Sequence, residues 1–494
     1  MLDQVDMNQN VDKEVAKMQI KEKKKQLAVL QQKIRQKKIP VVLVFEGWGA
    51  SGKGSLIGKL ILEMDPRGFQ VYSMGEPSPE EKRLPFLNRY WLNMPAQGEI
   101  SIFDRSWYQE LSVWKVEKQY NKQETEEKRN AINRMERQLT DDGCLVLKFF
   151  LHITKKQQRM RFEVLSASKN TAWRVTEQDW KRNREYSTYY KVWDEMLEQT
   201  NTPYAPWHLI AAKDKHAALL EILTILNDAL EQSLEQQDQM KFRGVLPSDM
   251  PFCMRQIPKL SEISMLEPMP EEEYRVRLKQ DQKKLRKLAN KLYRKKIPLI
   301  ICYEGWDAAG KGGNIRRMAA SFDPRGYDVA PIAAPDHMEL AHHYLWRFRR
   351  HLPKTGHVAI FDRTWYGRVM VERVENLATP EQWLRAYNEI SEFEQELSDW
   401  GAVIVKFWLH IDKDEQLKRF QERQNTPEKQ WKITDEDWRN REKWDQYEGA
   451  IDEMLQNTST SFAPWHVIAT NDKYRARVEA IERVITAIEQ RLES

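Results

Sequence analysis

Cysteine is nearly absent: Cys144, Cys253 and Cys302 are the only three in 494 residues. An odd number of widely spaced thiols excludes a disulfide framework and a Cys-x-x-Cys zinc site, and fits the reducing cytoplasm. No apolar run approaches the roughly 20 residues needed to cross a bilayer. The polar opening MLDQVDMNQNVDKEVAKMQIKEKKK lacks the apolar core of a signal peptide. Glycine is scarce at 19, which leaves no room for a fibrous repeat, whereas tryptophan is plentiful at 18. Charge of one sign is also lacking. Seventy-nine Lys+Arg against 74 Asp+Glu give +5, too slight to imply a polyanionic partner. With 41% hydrophobic and 31% charged residues, the chain reads as soluble and globular, without a membrane or nucleic-acid partner. At roughly 100–200 residues per domain it holds two to four domains.

What is present is a repeat. KKIPVVLVFEGWGASGKG from Lys37 returns as KKIPLIICYEGWDAAGKG from Lys295, 258 positions later. The same offset relates Asp65–Gly68 to Asp323–Gly326, Ile102–Arg105 to Ile360–Arg363, Lys148–His152 to Lys406–His410 and Ala205–His208 to Ala463–His466. A period this long marks a duplicated domain, not a solenoid. The copies run over residues 12–236 and 271–494. The Pro- and Met-rich stretch 237–270 between them reads as a linker.

Each copy opens with a charged helix (12–36; 271–294) and a short apolar strand, Val41–Phe45 or Leu299–Tyr303. Further strands are expected at Val329–Ile332, Val358–Phe361, Val403–Leu409 and Trp465–Ile468. Continuous apolar strands alternating with helices predict a buried parallel sheet, so the expected fold is α/β: two tandem three-layer α/β/α domains.

Gly305-Trp-Asp-Ala-Ala-Gly310-Lys311-Gly312 fits G-x-x-x-x-G-K between a strand and a helix. Such a loop turns backbone N–H groups toward phosphate, the helix N-terminus adds positive charge, and the lysine reaches the terminal phosphates. The usual Ser/Thr after the lysine is replaced by Gly312 and Gly54, which makes a standard nucleotide triphosphatase a poor fit. The second copy instead places Asp307 in the loop, either as an oxygen ligand for a hard dication or as a cap on the loop backbone. Asp362 ends an apolar strand where open α/β sheets hold their ligands, with Arg363 and Arg368 following. The Asp can hold Mg²⁺ or take a proton, and the arginines can clamp phosphate; the plainer reading is a strand-end ion pair. Arg419 and Arg423 share a helix face ahead of Lys429 and Lys432. They read as a cationic lid or as a solvated face. Arg316, Arg317 and Gly313 lie just past the loop. His351, His410 and His466 lack metal-ligand spacing and read as packing groups or weak phosphate partners.

Glu304–Arg317, Phe361–Arg368 and Trp431–Trp438 together resemble the polyphosphate kinase 2 family, in both copies and so over nearly the whole chain. The resemblance implies a P-loop kinase fold with helical lids, Mg²⁺, and inorganic polyphosphate as a substrate. Two fused copies resemble the subgroup that phosphorylates AMP to ADP. Carried over, Asp307, Lys311, Asp362 and Arg423 would be catalytic, with Asp307 and Asp362 holding the metal. Gly305, Gly310, Gly312, Gly313, Arg316, Arg317, Arg363, Arg368, Arg419 and Lys432 would bind phosphates. An oligomer of identical chains is expected.

The copies differ where it matters: Gly49 stands at Asp307, Glu110 at Arg368, Leu165 at Arg423, Thr171 at Lys429, Asn93 at His351 and Lys115 at Arg373. The first keeps Lys53, Asp104 and Arg105. It is expected to be catalytically silent, with a role in structure, polyphosphate docking or regulation. Two other readings stay open, a nucleoside diphosphate acceptor (or polyphosphate synthesis) and a non-enzymatic polyanion binder. Asp336, His337 and Arg347 are candidates for base contacts.

Overall fold

The computed structural model describes residues 1–7, 11–236 and 251–493, the side chains of Gln236, Lys429 and Lys432 excepted. The described chain divides into two compact units. One gathers Met1–Ser78, Phe86–Arg243 and His337–His343; the other gathers Pro79–Pro85, Gly244–Asp336 and Tyr344–Ser494.

In the first unit β1 (Val41–Gly47), β2 (Phe69–Ser73), β3 (Ile100–Asp104), β4 (Leu145–His152) and β5 (Trp207–Ala211) form one sheet in the order β2-β3-β1-β4-β5. The second unit repeats it with β6 (Leu299–Gly305), β7 (Tyr327–Pro331), β8 (Val358–Asp362), β9 (Val403–His410) and β10 (Trp465–Ala469), in the order β10-β9-β6-β8-β7. Every pairing is parallel. β1, β6 and β9 are buried along almost their whole length, which explains why they read as unbroken apolar runs: helices cover both faces of such a sheet. Each predicted strand is present and lengthened by one or two residues, except that β7 starts two residues before the expected Val329 and ends at Pro331, leaving Ile332 outside it.

This strand order positions the site. β6 is central, flanked by β8 and β9, and Tyr303 lies in register with Asp362. The loop after β6 and the turn after β8 therefore emerge side by side at the carboxyl edge, although about sixty residues separate them in the chain. Behind the turn, Lys406 of β9 bonds Glu394 (2.7 Å), the Tyr366 hydroxyl (2.6 Å) and the Thr458 carbonyl (2.8 Å), and all three side chains are fully buried. Lys148, Glu136 and Tyr108 repeat the arrangement in the first unit. A buried pair so completely satisfied holds the segment after the turn, and removing one partner alone costs about 3–5 kcal/mol.

Part of the expected linker, residues 237–250, lies outside the described residues. Residues 251–270 are pinned to the second unit: Arg255 N–H donates to the Ser459 carbonyl at 2.7 Å, Leu260 N–H to Asp452 at 2.9 Å, and Leu260 is buried in that unit's core. Among the described residues no helix is long and apolar enough to cross a membrane.

Candidate active site

The loop after β6 turns through three left-handed positions, Gly305 (φ +153°), Ala308 (φ +62°) and Gly310 (φ +103°), before the helix Lys311–Ala319 begins. Glycine at 305 is required by close approach, since a Cβ there would sit 2.6 Å from the Leu409 carbonyl oxygen. At Gly312 a Cβ would meet nothing within 4 Å, so the helix start faces open space. Lys311 Nζ lies across the loop, bonded to the carbonyls of Gly305 (2.6 Å) and Trp306 (3.4 Å). Trp306 is buried and stacks on Trp444 with centroids 3.8 Å apart, and its indole N–H meets His410 Nδ1 at 3.2 Å. The loop is thus fixed by packing before any ligand arrives.

A cavity of about 940 Å³ opens in front of it. Of the residues expected from the sequence, Asp307, Gly310, Lys311, Gly312, Gly313, Arg316, Arg317, Asp362, Arg363, Arg419 and Arg423 all line this one space. Asp307 accepts a hydrogen bond from Asn440 Nδ2 at 3.0 Å and stands 3.8 Å from Arg363 Nη2. Burial alone would lower the Arg363 guanidinium, but Asp307, Glu304, Glu436 and Asp362 outweigh it and hold the pKa above its ordinary value. Asp437 is raised, chiefly by burial and then by the Asp307 charge. Arg317 reaches the Gly313 carbonyl (2.9 Å) and the Tyr274 hydroxyl (3.4 Å).

Three expectations need correction. Arg419 is only 4% exposed. Its guanidinium bonds Glu415 (2.7 Å) and the carbonyls of Ala308 (3.0 Å), Thr470 (2.7 Å) and Asn471 (3.0 Å). It clasps the loop to the segment after β10, and is no member of a mobile cationic lid. Arg368 does not line the cavity. It pairs with Glu372 at 3.1 Å and lies 4.5 Å over the Tyr344 ring. Gly305 is likewise absent from the lining; it packs against β9 and lends its carbonyl to Lys311. The Lys432 side chain lies outside the described residues.

The sequence reading passed over Asn440, Asp437, Glu436, Lys473 and Arg477, all in the lining. Asn440 and the acids lie on the helix Asp435–Glu442, whose polar first turn looks like any capped helix start; Thr434 and Asp437 do form a capping box there. Lys443 (2.9 Å) and Arg439 (3.7 Å) tie this segment to Glu375, and Trp431, largely exposed, lines the outer rim.

The first unit builds the same loop, with Gly52 at φ +103° and Lys53 on the carbonyls of Gly47 (2.8 Å) and Trp48 (3.2 Å). Its cavity is only about 50 Å³. Gln109, Val113, Tyr189 and Trp193 crowd it. Arg182, standing where the second copy has Asn440, bonds Glu117 at 2.8 Å. Glu110 is buried with Tyr120 (2.7 Å) and Lys128 (3.1 Å), outside that cavity, as Arg368 is outside the larger one.

His410 and His466 are packing residues: burial holds both imidazoles down at about 4, as it does His152. Unfolding frees each to titrate near 6.5, so the stability they confer is complete above that pH and is lost as pH falls toward 4. Each histidine is worth on the order of 3 kcal/mol there. Urea midpoints are expected to drop between pH 7 and 4.5, and His410→Gln should flatten that drop; an unchanged slope would contradict the assignment.

Comparison with known proteins places these observations. The family model for polyphosphate kinase 2 matches residues 10–238 and 269–494. A polyphosphate:AMP phosphotransferase of Pseudomonas aeruginosa is 37% identical over 490 residues, covering 99% of each chain, and one of Acinetobacter johnsonii is 34% identical, covering 90% of each. A crystal structure assigned to polyphosphate kinase 2 from Pseudomonas aeruginosa PA01 superposes with a TM-score of 0.87 at 36% identity over the whole of both chains.

Proposed function

The chain belongs to the polyphosphate kinase 2 family, and on that premise we propose that it transfers the terminal phosphoryl group of inorganic polyphosphate to AMP, giving ADP. The observation that carries this is the convergence of Lys311, Asp307, Asp362, Arg363 and Arg423 on one large cavity at the carboxyl edge of the second sheet. We assign residues 12–236 and 271–494 as the two domains, 237–270 as their linker, and catalysis to the second alone.

Phosphoryl transfer asks for alignment and for neutralisation of charge on the moving group. Backbone N–H groups at the start of the helix Lys311–Ala319 cradle the phosphate, and Lys311 swings from the loop carbonyls to its oxygens. Arg363 and Arg423, both lining the cavity, supply charge as the group loosens. Asp307 and Asp362 are hard oxygen donors on the same cavity and fit Mg²⁺. Among the described residues no three metal-ligating side chains cluster, so phosphate and water oxygens would complete the shell, as is usual for this ion. Held by these two carboxylates, Mg²⁺ would supply charge neutralisation to the phosphates. The free thiols Cys144, Cys253 and Cys302 support work in the cytoplasm.

Purified protein with Mg²⁺, polyphosphate and AMP is expected to yield ADP, resolved by ion-exchange chromatography. Product from ADP but none from AMP would instead assign a nucleoside diphosphate acceptor, and salt-sensitive binding without product a simple polyanion binder.

A further inference from the structure

Both units bury a glutamate under the loop, Glu46 at the end of β1 and Glu304 at the end of β6. Glu304 Oε1 accepts two short hydrogen bonds from Thr364, from its backbone N–H and its hydroxyl, each 2.7 Å. One residue earlier, Arg363 N–H donates to the Tyr303 carbonyl at 3.0 Å, and Arg363 itself sits at φ +67°. A left-handed arginine is strained and persists only where its surroundings hold it. The two clasps to β6 are what hold it, and they set the direction in which Asp362 and Arg363 leave the strand. The first unit repeats the clasp: Ser106 N–H and hydroxyl reach Glu46 at 2.7 and 2.8 Å, with Arg105 at φ +66°.

The units then diverge. In the first, Gln109 Nε2 occupies the other oxygen of Glu46 at 2.9 Å. In the second, the corresponding residue is Gly367, and Glu304 Oε2 has no hydrogen-bond partner among the described residues. The charges that face Glu304 are Lys311 on the loop helix and Arg363 on the turn.

Resting on the phosphotransfer reading above, we infer that Glu304 is a positioning residue of the second unit: through Thr364 it aims Asp362 and Arg363 into the cavity, and through its uncommitted oxygen it balances Lys311 and Arg363. Burial pushes its carboxyl up to about 7, against the opposing pull of Thr364, Lys311 and Arg363. Carboxylate acceptance of N–H and O–H is stronger than acceptance by a neutral amide, and a displacement of about 1 Å at a reacting group can cost about 10²-fold in rate.

The test compares Glu304→Gln with Glu46→Gln, its structural counterpart, and adds Thr364→Val, which removes the hydroxyl that donates to Glu304 and accepts from Tyr366 N–H while leaving the backbone donor in place. ADP formation from AMP and polyphosphate is followed with kcat and KM for each substrate, beside thermal melts. The expected result is a loss of kcat of about 10²-fold for Glu304→Gln and about tenfold for Thr364→Val, with both KM values within about twofold of the parent. Glu46→Gln should shift the melt as much as Glu304→Gln and leave kcat unchanged. Parent kcat in Glu304→Gln and Thr364→Val would overturn the inference, as would equal losses of kcat in Glu304→Gln and Glu46→Gln. If Glu304→Gln does not fold, Thr364→Val decides alone. Absence of ADP with the parent protein refutes the phosphotransfer reading itself, a distinct outcome.

Discussion

Lys311→Ala is expected to reduce ADP formation by about 10³-fold or more, while Lys53→Ala leaves it within about twofold. The two lysines occupy loops of the same backbone course and bond the corresponding pair of carbonyls. What separates them lies in front. Lys311 faces a space of about 940 Å³ that can take a phosphate chain and a nucleotide, whereas Lys53 faces about 50 Å³, room for little more than water. Moreover, the loop carboxylate is missing at Gly49, and Arg182 is committed to Glu117. Steady-state rates for the two variants, with circular dichroism to confirm folding, decide the matter. Loss of turnover in a folded Lys53→Ala protein would return catalysis to the first unit.

The second large effect is expected at Asp307. Asp307→Asn keeps the volume and removes the charge, and should lower kcat by about 10²–10³-fold while raising the Mg²⁺ concentration needed for half-maximal rate. The carboxylate stands between Asn440 on the helical segment over the cavity and Arg363 on the turn after β8. On the proposed role its loss removes a magnesium ligand, and it leaves Arg363 with one fewer acid to balance it. Asp307→Gly, which installs the first copy's residue, should be at least as damaging. A variant with parental kcat and an unchanged Mg²⁺ titration would show that Asp307 merely caps the loop.

Legibility in the sequence followed distance along the chain. The loop at Gly305–Gly312 and its recurrence at Gly47–Gly54 are contiguous strings whose backbone demands are local, so spacing revealed them. Asp362 was legible because a carboxylate ending an apolar strand has few structural explanations. Arg419 and Arg368 misled for one shared reason. A cation near a phosphate motif in sequence reads as a phosphate ligand, but the helix Lys413–Asn425 turns Arg419 onto three carbonyls, and the short helical turn Trp365–Arg368 carries Arg368 to Tyr344 and Glu372. Glu304 went unread for the opposite reason: an acid inside a strand motif looks incidental until its partner Thr364, 60 residues on, folds over it.

The sequence by itself determined the duplication, the parallel α/β architecture, the phosphate loop and the strand-end aspartate, because each rests on local backbone preference or on a pattern repeated at one offset. Only the tertiary structure decided which copy opens a large cavity, which arginines line it, and what holds the turn after β8. Those depend on the register of β6 against β8 and β9 and on side chains bonding backbone groups 60 and 162 residues away. Packing, not sequence proximity, sets such convergence.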